Sequence, residues 1–432
     1  MKSRTQYVII GNSAGGRAAL EAIRSRDKRN RVTMIADEDY PLYPRMFLPY
    51  IEQKDIKNSY PEPSYFEALQ TETLFGDKVD TIDPVNARVI CSNGRKVSYD
   101  KLLIATGASP RHLKMPGMDK KRIVNFWTMS DTRRIFEAMK NSKRVVIIGA
   151  GLIGALTIEA FFKKSKTMSV IEISDHVLPA ILHEYSAEFV QKLLQKQGVR
   201  IYTGEKVLKI QKKNKGSSVV ILSSGKELPF DAIIAGIGTI PNTEIIQGTG
   251  ISCKKGIVVD SCMRTSVENI FAAGDVAEVP SLLDKGSVVV GTWSAAVEQG
   301  KIAGLNMTGA DITYQGGFTY NILKLFDINI ASAGIPEFKS NDGLNSTQNI
   351  YSDSKRGVYR WIGFNPDGSI RGAIAIGKIQ DMGIIQSLIR NKTPLRDYYK
   401  HAYNLLTFPE LLLKKTLSLR KGNILNLTLS LF

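Results

Sequence analysis

The chain gathers its apolar residues into short continuous runs that end in glycine. Tyr7 to Ile10 (YVII) leads into GNSAGG, then a helical pattern from about Gly16 to Arg26, then a second apolar run from Val32 to Ala36. Such runs predict parallel strands buried on both faces, with the helix as the crossover between them. The same grammar restarts at Val145 with VVII, GAGLIG, a helix to about Lys164 and a second strand from Met168 to Glu172. The two units lie about 138 residues apart, too far for a short solenoid repeat, and predict two separate nucleotide-binding domains.

Other segments complete the plan. VSYDKLLIATGASPR (Val97 to Arg111) predicts a strand ending in a Thr-Gly turn, with Pro110 and Pro116 flanking a linker. FDAIIAGIGTIPN (Phe230 to Asn242) predicts a further buried strand, and IFAAGDVAEV (Ile270 to Val279) one that ends at Gly274-Asp275. From about Thr313 the texture changes: GVYRWIGF and SIRGAIAIG alternate around NPDG and predict antiparallel hairpins. The expectation is an α/β chain with two Rossmann-like dinucleotide-binding domains and a C-terminal α+β domain. The first domain comprises residues 1–115 and 243–312, the second is inserted at 116–242, and the third covers 313–432, closing in Leu-rich helices after about Thr393.

Each glycine-rich turn has the parts a pyrophosphate requires. In GNSAGG, Gly11 permits the tight turn and Gly16 lets the helix approach the strand. The helix N-terminus at Ser13 and Ala14 offers backbone N–H groups to phosphate. Ser13 stands where a second glycine is usual; it is small and adds a hydroxyl. Asp37, with Glu38 beside it, follows the second strand, where an acid takes the ribose hydroxyls. In GAGLIG, Gly149, Gly151 and Gly154 match the fingerprint throughout, and Leu152 and Ile153 open the helix. Glu172 can accept from both ribose hydroxyls and would repel a 2′-phosphate. No Lys or Arg between Ile173 and Glu184 offsets that repulsion, so NADH is expected over NADPH.

Composition narrows the partners. The net charge of +17 favours an acidic protein, nucleic acid or an anionic membrane over neutral partners, although a solvated Lys-rich surface would also produce it. Without basic–aromatic interleaving or a nucleic-acid motif, nucleic acid is not expected. Cys91, Cys253 and Cys262 lie far apart, which argues against a disulfide framework and fits a reducing cytoplasm. His112, His176, His183 and His401 show no metal-ligand spacing, so no metal is expected. No signal-peptide pattern precedes the first strand. Val145 to Phe162 is long enough to cross a bilayer, but GAGLIG and Glu159 interrupt it and favour strand, turn and helix.

The ordered motifs GNSAGG, LIATGA, GAGLIG, AGIGTIPN and IFAAGDVA resemble the pyridine nucleotide–disulfide oxidoreductases from about Gln6 to Gly309, and more weakly beyond. Within that superfamily the chain is most similar to NADH-dependent rubredoxin or ferredoxin reductases and NADH oxidase-like proteins. The resemblance implies FAD in the first site and NADH in the second. It implies that Asp275 binds the ribityl chain, that Thr106 and Gly107 lie along FAD, and that the backbone at Val79 reads the adenine. YPRMFLPY (Tyr43 to Tyr50) is similar to the flavin-side loop, with Arg45 as the cationic contact. TWSAAVEQG would start a helix near Ser294 or Ala295, its N-terminus aimed at the flavin's pyrimidine edge. Gly236 and Gly238 would leave room for the nicotinamide ribose.

Three departures shape the chemistry. No cysteine occurs between Arg45 and Tyr50, the C-terminal His–Glu pair of the glutathione reductase branch is missing, and Leu156 replaces a charged residue common just after the fingerprint. Coenzyme A disulfide or peroxide chemistry through a thiol is therefore not expected. Hydride transfer needs nicotinamide C4 about 3–3.5 Å from flavin N5, and the flavin carries the electronic chemistry while the protein orients it. The expected activity is NADH:acceptor oxidoreduction with a small acidic carrier such as rubredoxin or ferredoxin, in either direction. Dioxygen and quinone are the alternative acceptors, and a slowly turning redox-sensing flavoprotein is the alternative class. The quinone reading draws on the tail, Leu405 to Phe432, within a stretch from Lys378 that carries nine basic and three acidic residues. Leu-rich helices with Lys on one face can lie on an anionic membrane, but more often they dock on their own domain.

Overall fold

The computed structural model describes residues 5–40, 43–51, 63–113, 116, 123–165, 167–213, 218–335, 347–353 and 357–395. The chain divides into two compact units, Met1–Ala180 with Val190–Thr319, and Ile181–Phe189 with Tyr320–Phe432.

The first unit contains two five-stranded sheets, each wholly parallel, with four of the five strands in the same order. In the first sheet the order is Ile270–Ala272, Lys101–Ile104, Gln6–Ile10, Arg31–Ala36, Thr71–Phe75. In the second it is Ile123–Asn125, Ala232–Ala235, Arg144–Ile148, Thr167–Ile171, Arg200–Tyr202. The β-branched runs occupy the sheet centres, and Val8, Ile9 and Ile147 are wholly buried, as strands covered on both faces require. The halves differ at one edge: Ile270–Ala272 is the last strand of its sheet along the chain, whereas Ile123–Asn125 is the first of its own. In both halves a three-stranded antiparallel ribbon (79–98 and 207–230) fills the connection to the strand next to the edge, Lys101–Ile104 and Ala232–Ala235.

The chain passes between the halves twice, and the two passages pair with each other. Ala108–Pro110 runs antiparallel to Thr239–Pro241, and the Arg111 N–H donates to the Gly238 carbonyl at 2.9 Å. Asn242 closes the ribbon with three bonds. Its N–H donates to the Gly107 carbonyl (2.9 Å), its Nδ2 to the Thr106 carbonyl (2.8 Å), and its own carbonyl accepts from the Thr106 hydroxyl (2.9 Å). The Val145 to Phe162 stretch is indeed strand, turn and helix, the helix spanning Leu152–Phe161. Among the described residues no helix is long and apolar enough to cross a membrane.

The second unit is built on a five-stranded antiparallel sheet in the order Tyr320–Leu325, Ile328–Gly334, Ile370–Ile376, Val358–Phe364, Thr347–Asp353. The hairpin expected at NPDG is present, with the Asn365 N–H donating to the Ser369 carbonyl and Gly368 at φ +82°. Its two strands, however, are buried at every position, Arg360 included. The alternating pattern misleads there because both faces are covered. On one face the buried Arg360 guanidinium donates hydrogen bonds from Nη1 and Nη2 to the two carboxylate oxygens of Asp381, at the start of the helix Met382–Arg390. On the other, His183 meets the Tyr359 hydroxyl at 3.2 Å and stands edge-on to Trp361. The Leu-rich helices expected after Thr393 lie outside the described residues beyond position 395.

Candidate functional site

Both glycine-rich turns repeat one local geometry. Gly11 has φ +108° and Gly149 φ +99°, a left-handed conformation open to glycine alone at little cost. A Cβ on Gly11 would stand 2.1 Å from the Ala105 carbonyl oxygen, and one on Gly149 2.3 Å from that of Gly236. The third glycines are as tightly held: a Cβ on Gly16 would lie 1.9 Å from the Gly11 carbonyl oxygen, and one on Gly154 2.0 Å from that of Gly149. Each turn is thus sealed against its neighbouring strand, which forces the next helix to begin over the strand end. Ser13 and Gly151 are the N-caps, both extended. The Ser13 side chain makes no capping bond to its own helix, and the space around a Cβ on Gly151 is open. The first-turn amides at each helix start form a cradle that fits a dinucleotide pyrophosphate.

The acids after the second strands are not equivalent. Glu172 is buried, its two carboxylate oxygens accepting from Ala150 N–H (2.6 Å) and Ser174 N–H (2.9 Å). The first of these bonds ties it to the middle of GAGLIG, so the carboxylate is fixed at the turn. In the first half the Gly11 N–H donates to Ile35, as Gly149 donates to Ile171, so Ala36 holds the place of Glu172. Asp37 stands one position further on, exposed. Glu38 is engaged elsewhere: its carboxylate accepts from Arg45 Nη2 (2.5 Å) and from the Tyr43 hydroxyl.

Arg45 lies in a polar knot between the halves. Besides Glu38 it donates to the Trp127 carbonyl (2.7 Å), and its guanidinium lies over the Tyr43 and Trp127 rings. The Tyr43 hydroxyl also accepts from Met129 N–H (3.1 Å), and burial pushes its pKa upward, which keeps the phenol protonated. The turn Arg45–Tyr50 packs on the helix that GAGLIG opens. Burial, then the Glu159 carboxylate, raises the Tyr50 phenol. Asp275 is half-buried, and burial raises its carboxyl above the ordinary range while Arg45 pulls against that shift.

The remaining expected residues fall on the same framework. Thr106 and Gly107 sit in the Asn242 clamp described above. Val79 is buried at the start of an antiparallel strand, paired with Cys91 beside a bulge. Gly236 and Gly238 follow the strand Ala232–Ala235, next to the second turn. The helix expected near Ser294 spans Trp293–Met307, with Thr292 as its cap. The Ala295 N–H is directed to the Thr292 hydroxyl at 3.4 Å, whereas Ser294 is exposed in the first turn. Residues not singled out in the sequence hold this helix in place. Gln299 accepts from Gly274 N–H at 2.9 Å and so fixes the turn that carries Asp275, while Gly300 and Gly304 press directly on the helix Ala14–Arg26.

Residues 5–300 match the family model described as pyridine nucleotide-disulphide oxidoreductase, and residues 320–393 match that of the rubredoxin NAD+ reductase C-terminal domain. The chain belongs to the pyridine nucleotide–disulphide oxidoreductase family. It is therefore a flavoprotein oxidoreductase with FAD and NADH as cofactors, as its motifs imply. It is 30% identical to the NADH-rubredoxin oxidoreductase of Clostridium acetobutylicum, over 81% of this chain and 86% of that one. With the NADH-dependent phenylglyoxylate dehydrogenase subunit epsilon of Aromatoleum evansii it shares 27% identity, over 90% of this chain and 93% of the other. Among solved structures, an NAD-dependent persulfide reductase from A. fulgidus superposes with a TM-score of 0.84 at 26% identity, covering 90% of this chain and 77% of that chain.

Proposed function

We propose that the chain oxidises NADH and delivers the electrons to a small acidic electron-carrier protein. In this reading residues 1–115 and 243–312 hold FAD, residues 116–242 hold NADH, and residues 313–432 form a third domain. The observation that carries it is the duplicated turn: two cradles of one geometry, in two sheets that share the order of four strands, joined by a clamped ribbon. FAD supplies the step from two-electron to single-electron transfer.

The chain's own residues do the binding and orienting. Gly11, Ser13, Ala14 and Gly16 receive the FAD pyrophosphate, and Asp37, with its carboxylate exposed, receives the ribose while Glu38 steadies Arg45. Asp275, Thr106, Gly107 and the backbone at Val79 line the rest of the FAD path. The dipole of the Thr292-capped helix, acting through Ser294 and its neighbours, favours negative charge beside it. In the second half Gly149, Gly151, Leu152, Ile153 and Gly154 take the NADH pyrophosphate, Gly236 and Gly238 flank the nicotinamide ribose, and Glu172 selects NADH. A carrier protein as acceptor is supported by the rubredoxin-linked relative and by the matching C-terminal domain. Its acidic character is argued from the +17 net charge. The free thiols agree with a cytoplasmic location.

The test is direct. The purified protein should carry one FAD per chain, bleach anaerobically with NADH, and reduce a rubredoxin or ferredoxin faster than dioxygen or a soluble quinone. A folded protein that takes up no flavin would sink the cofactor assignment, and a preference for quinone or dioxygen would displace the carrier.

A further inference from the structure

Arg111 occupies a position that neither turn explains. It follows the strand Ala108–Pro110 of the chain passage, and its Cδ and Nε lie 3.8 Å from where a Cβ on Gly238 would stand. Gly238 is in the left-handed region at φ +93°, so the backbone there turns without a side chain and the arginine stem lies against it. Two residues earlier, the Gly236 carbonyl oxygen seals the Gly149 turn, and a Cβ on Gly236 would meet Ile153 at 3.2 Å. A continuous line of contacts therefore runs from Gly149 through Gly236 and Gly238 to the side chain of Arg111. Among the described residues, Arg111 has no ion-pair or side-chain hydrogen-bond partner, and it is exposed. Arg45 and Arg144, by contrast, are committed to Glu38 and Asp231.

Ligands of open parallel sheets lie beyond the carboxyl ends of the strands. The turn after Arg144–Ile148 receives the pyrophosphate. In the reading proposed above, Glu172 takes the adenosine ribose on one flank, and the loop after the other neighbouring strand, Gly236 to Gly238, borders the nicotinamide side. A guanidinium has the planar donor fork that phosphate oxygens accept from, and it keeps its charge at any working pH. We propose that Arg111 binds the phosphate attached to the nicotinamide ribose of NADH. The anchor would thus reach NADH from the chain passage beside the second dinucleotide turn. This rests on the NADH assignment above.

The experiment uses the FAD-loaded protein and the variants Arg111→Gln and Arg111→Lys. Calorimetry with the non-reducing analogue tetrahydro-NADH reads binding without turnover. Anaerobic bleaching with NADH, reduced nicotinamide mononucleotide and reduced nicotinamide riboside separates ligands that keep the phosphate from one that lacks it. Arg111→Gln should weaken the analogue, and raise KM for NADH and the mononucleotide, by about tenfold or more. The limiting rate, the flavin content and the riboside kinetics should not change, and Arg111→Lys should recover part of the loss. Unchanged analogue binding, an equal loss with the riboside, or an effect confined to the carrier's KM would each overturn the proposal. A wild-type protein that binds no analogue would overturn the NADH assignment with it.

Discussion

A methyl group on Gly300 would stand 2.1 Å from the carbonyl oxygen of Gly15. One turn later, Gly304 meets Ala19 in the same way, at 2.4 Å from its carbonyl oxygen. The helix that opens at GNSAGG and the one capped by Thr292 are therefore joined backbone to backbone. Gly300→Ala must push backbone aside, at a cost of about 1–3 kcal/mol or more. Thermal unfolding and the flavin-to-protein absorbance ratio should both fall. The control is Gly383→Ala, an exposed helical position with open space around the new methyl, which should be neutral or stabilising by up to about 1 kcal/mol. Equal behaviour of the two variants would refute a backbone-to-backbone contact at Gly300.

Glu172 sets the expected cofactor preference. Its carboxylate is fixed by the Ala150 and Ser174 amides, so it cannot swing away from a 2′-phosphate. NADH should outperform NADPH in kcat/KM by up to about a hundredfold, the worth of roughly 1–3 kcal/mol for a lost acceptor. Glu172→Ala should narrow that ratio, mainly through KM for NADH. Equal kinetics with both nucleotides in the unaltered protein would refute the role.

What could be read from the sequence, and what could not, follows from the range of the interactions. GNSAGG and GAGLIG were legible because the glycine spacing lies within one strand–turn–helix unit, where Gly16 meets Gly11 and Gly154 meets Gly149; that Ala105 and Gly236 close the turns from other strands was not. The one-position offset between Asp37 and Glu172 was not, because it depends on how each second strand registers against its turn. Gln299, Gly300 and Gly304 were passed over since their partners, Gly274, Gly15 and Ala19, lie outside their own helix. The alternation in Val358–Phe364 showed a hairpin strand but not its burial on both faces, which depends on Asp381 neutralising Arg360 from a later helix. Nothing local told that Ile181–Phe189 would leave its neighbours and join the C-terminal unit through His183.

The thiols should be dispensable. Cys91 and Cys262 are buried, Cys253 is exposed, and none lies on the Arg45–Tyr50 turn. Burial foremost raises the pKa of both Cys91 and Cys262, which disfavours the thiolate that redox relay would need. Replacing all three by Ala or Ser should leave NADH-to-dye electron transfer largely intact in protein that keeps its flavin. If a single substitution abolished turnover at normal flavin content and stability, a thiol would be on the electron path.

The acceptor is tested by salt. If an acidic carrier docks on a chain of net charge +17, long-range attraction raises the encounter rate. Salt screens that attraction over a Debye length of about 8 Å at physiological ionic strength. With NADH saturating, reduction of a rubredoxin or ferredoxin should slow as salt rises, while reduction of a small neutral dye, which no such field steers, should change far less. The basic tail supplies a second arm: Lys414→Glu with Lys415→Glu, at positions outside the described residues, should flatten the carrier's salt response if that cluster is the dock. A flattening at unchanged dye turnover would locate the docking charge in the tail. A response equal to the parent's would move the dock to basic residues elsewhere in the chain. Identical salt responses for carrier and dye would remove the electrostatic case altogether, and dioxygen or quinone would then become the leading acceptors.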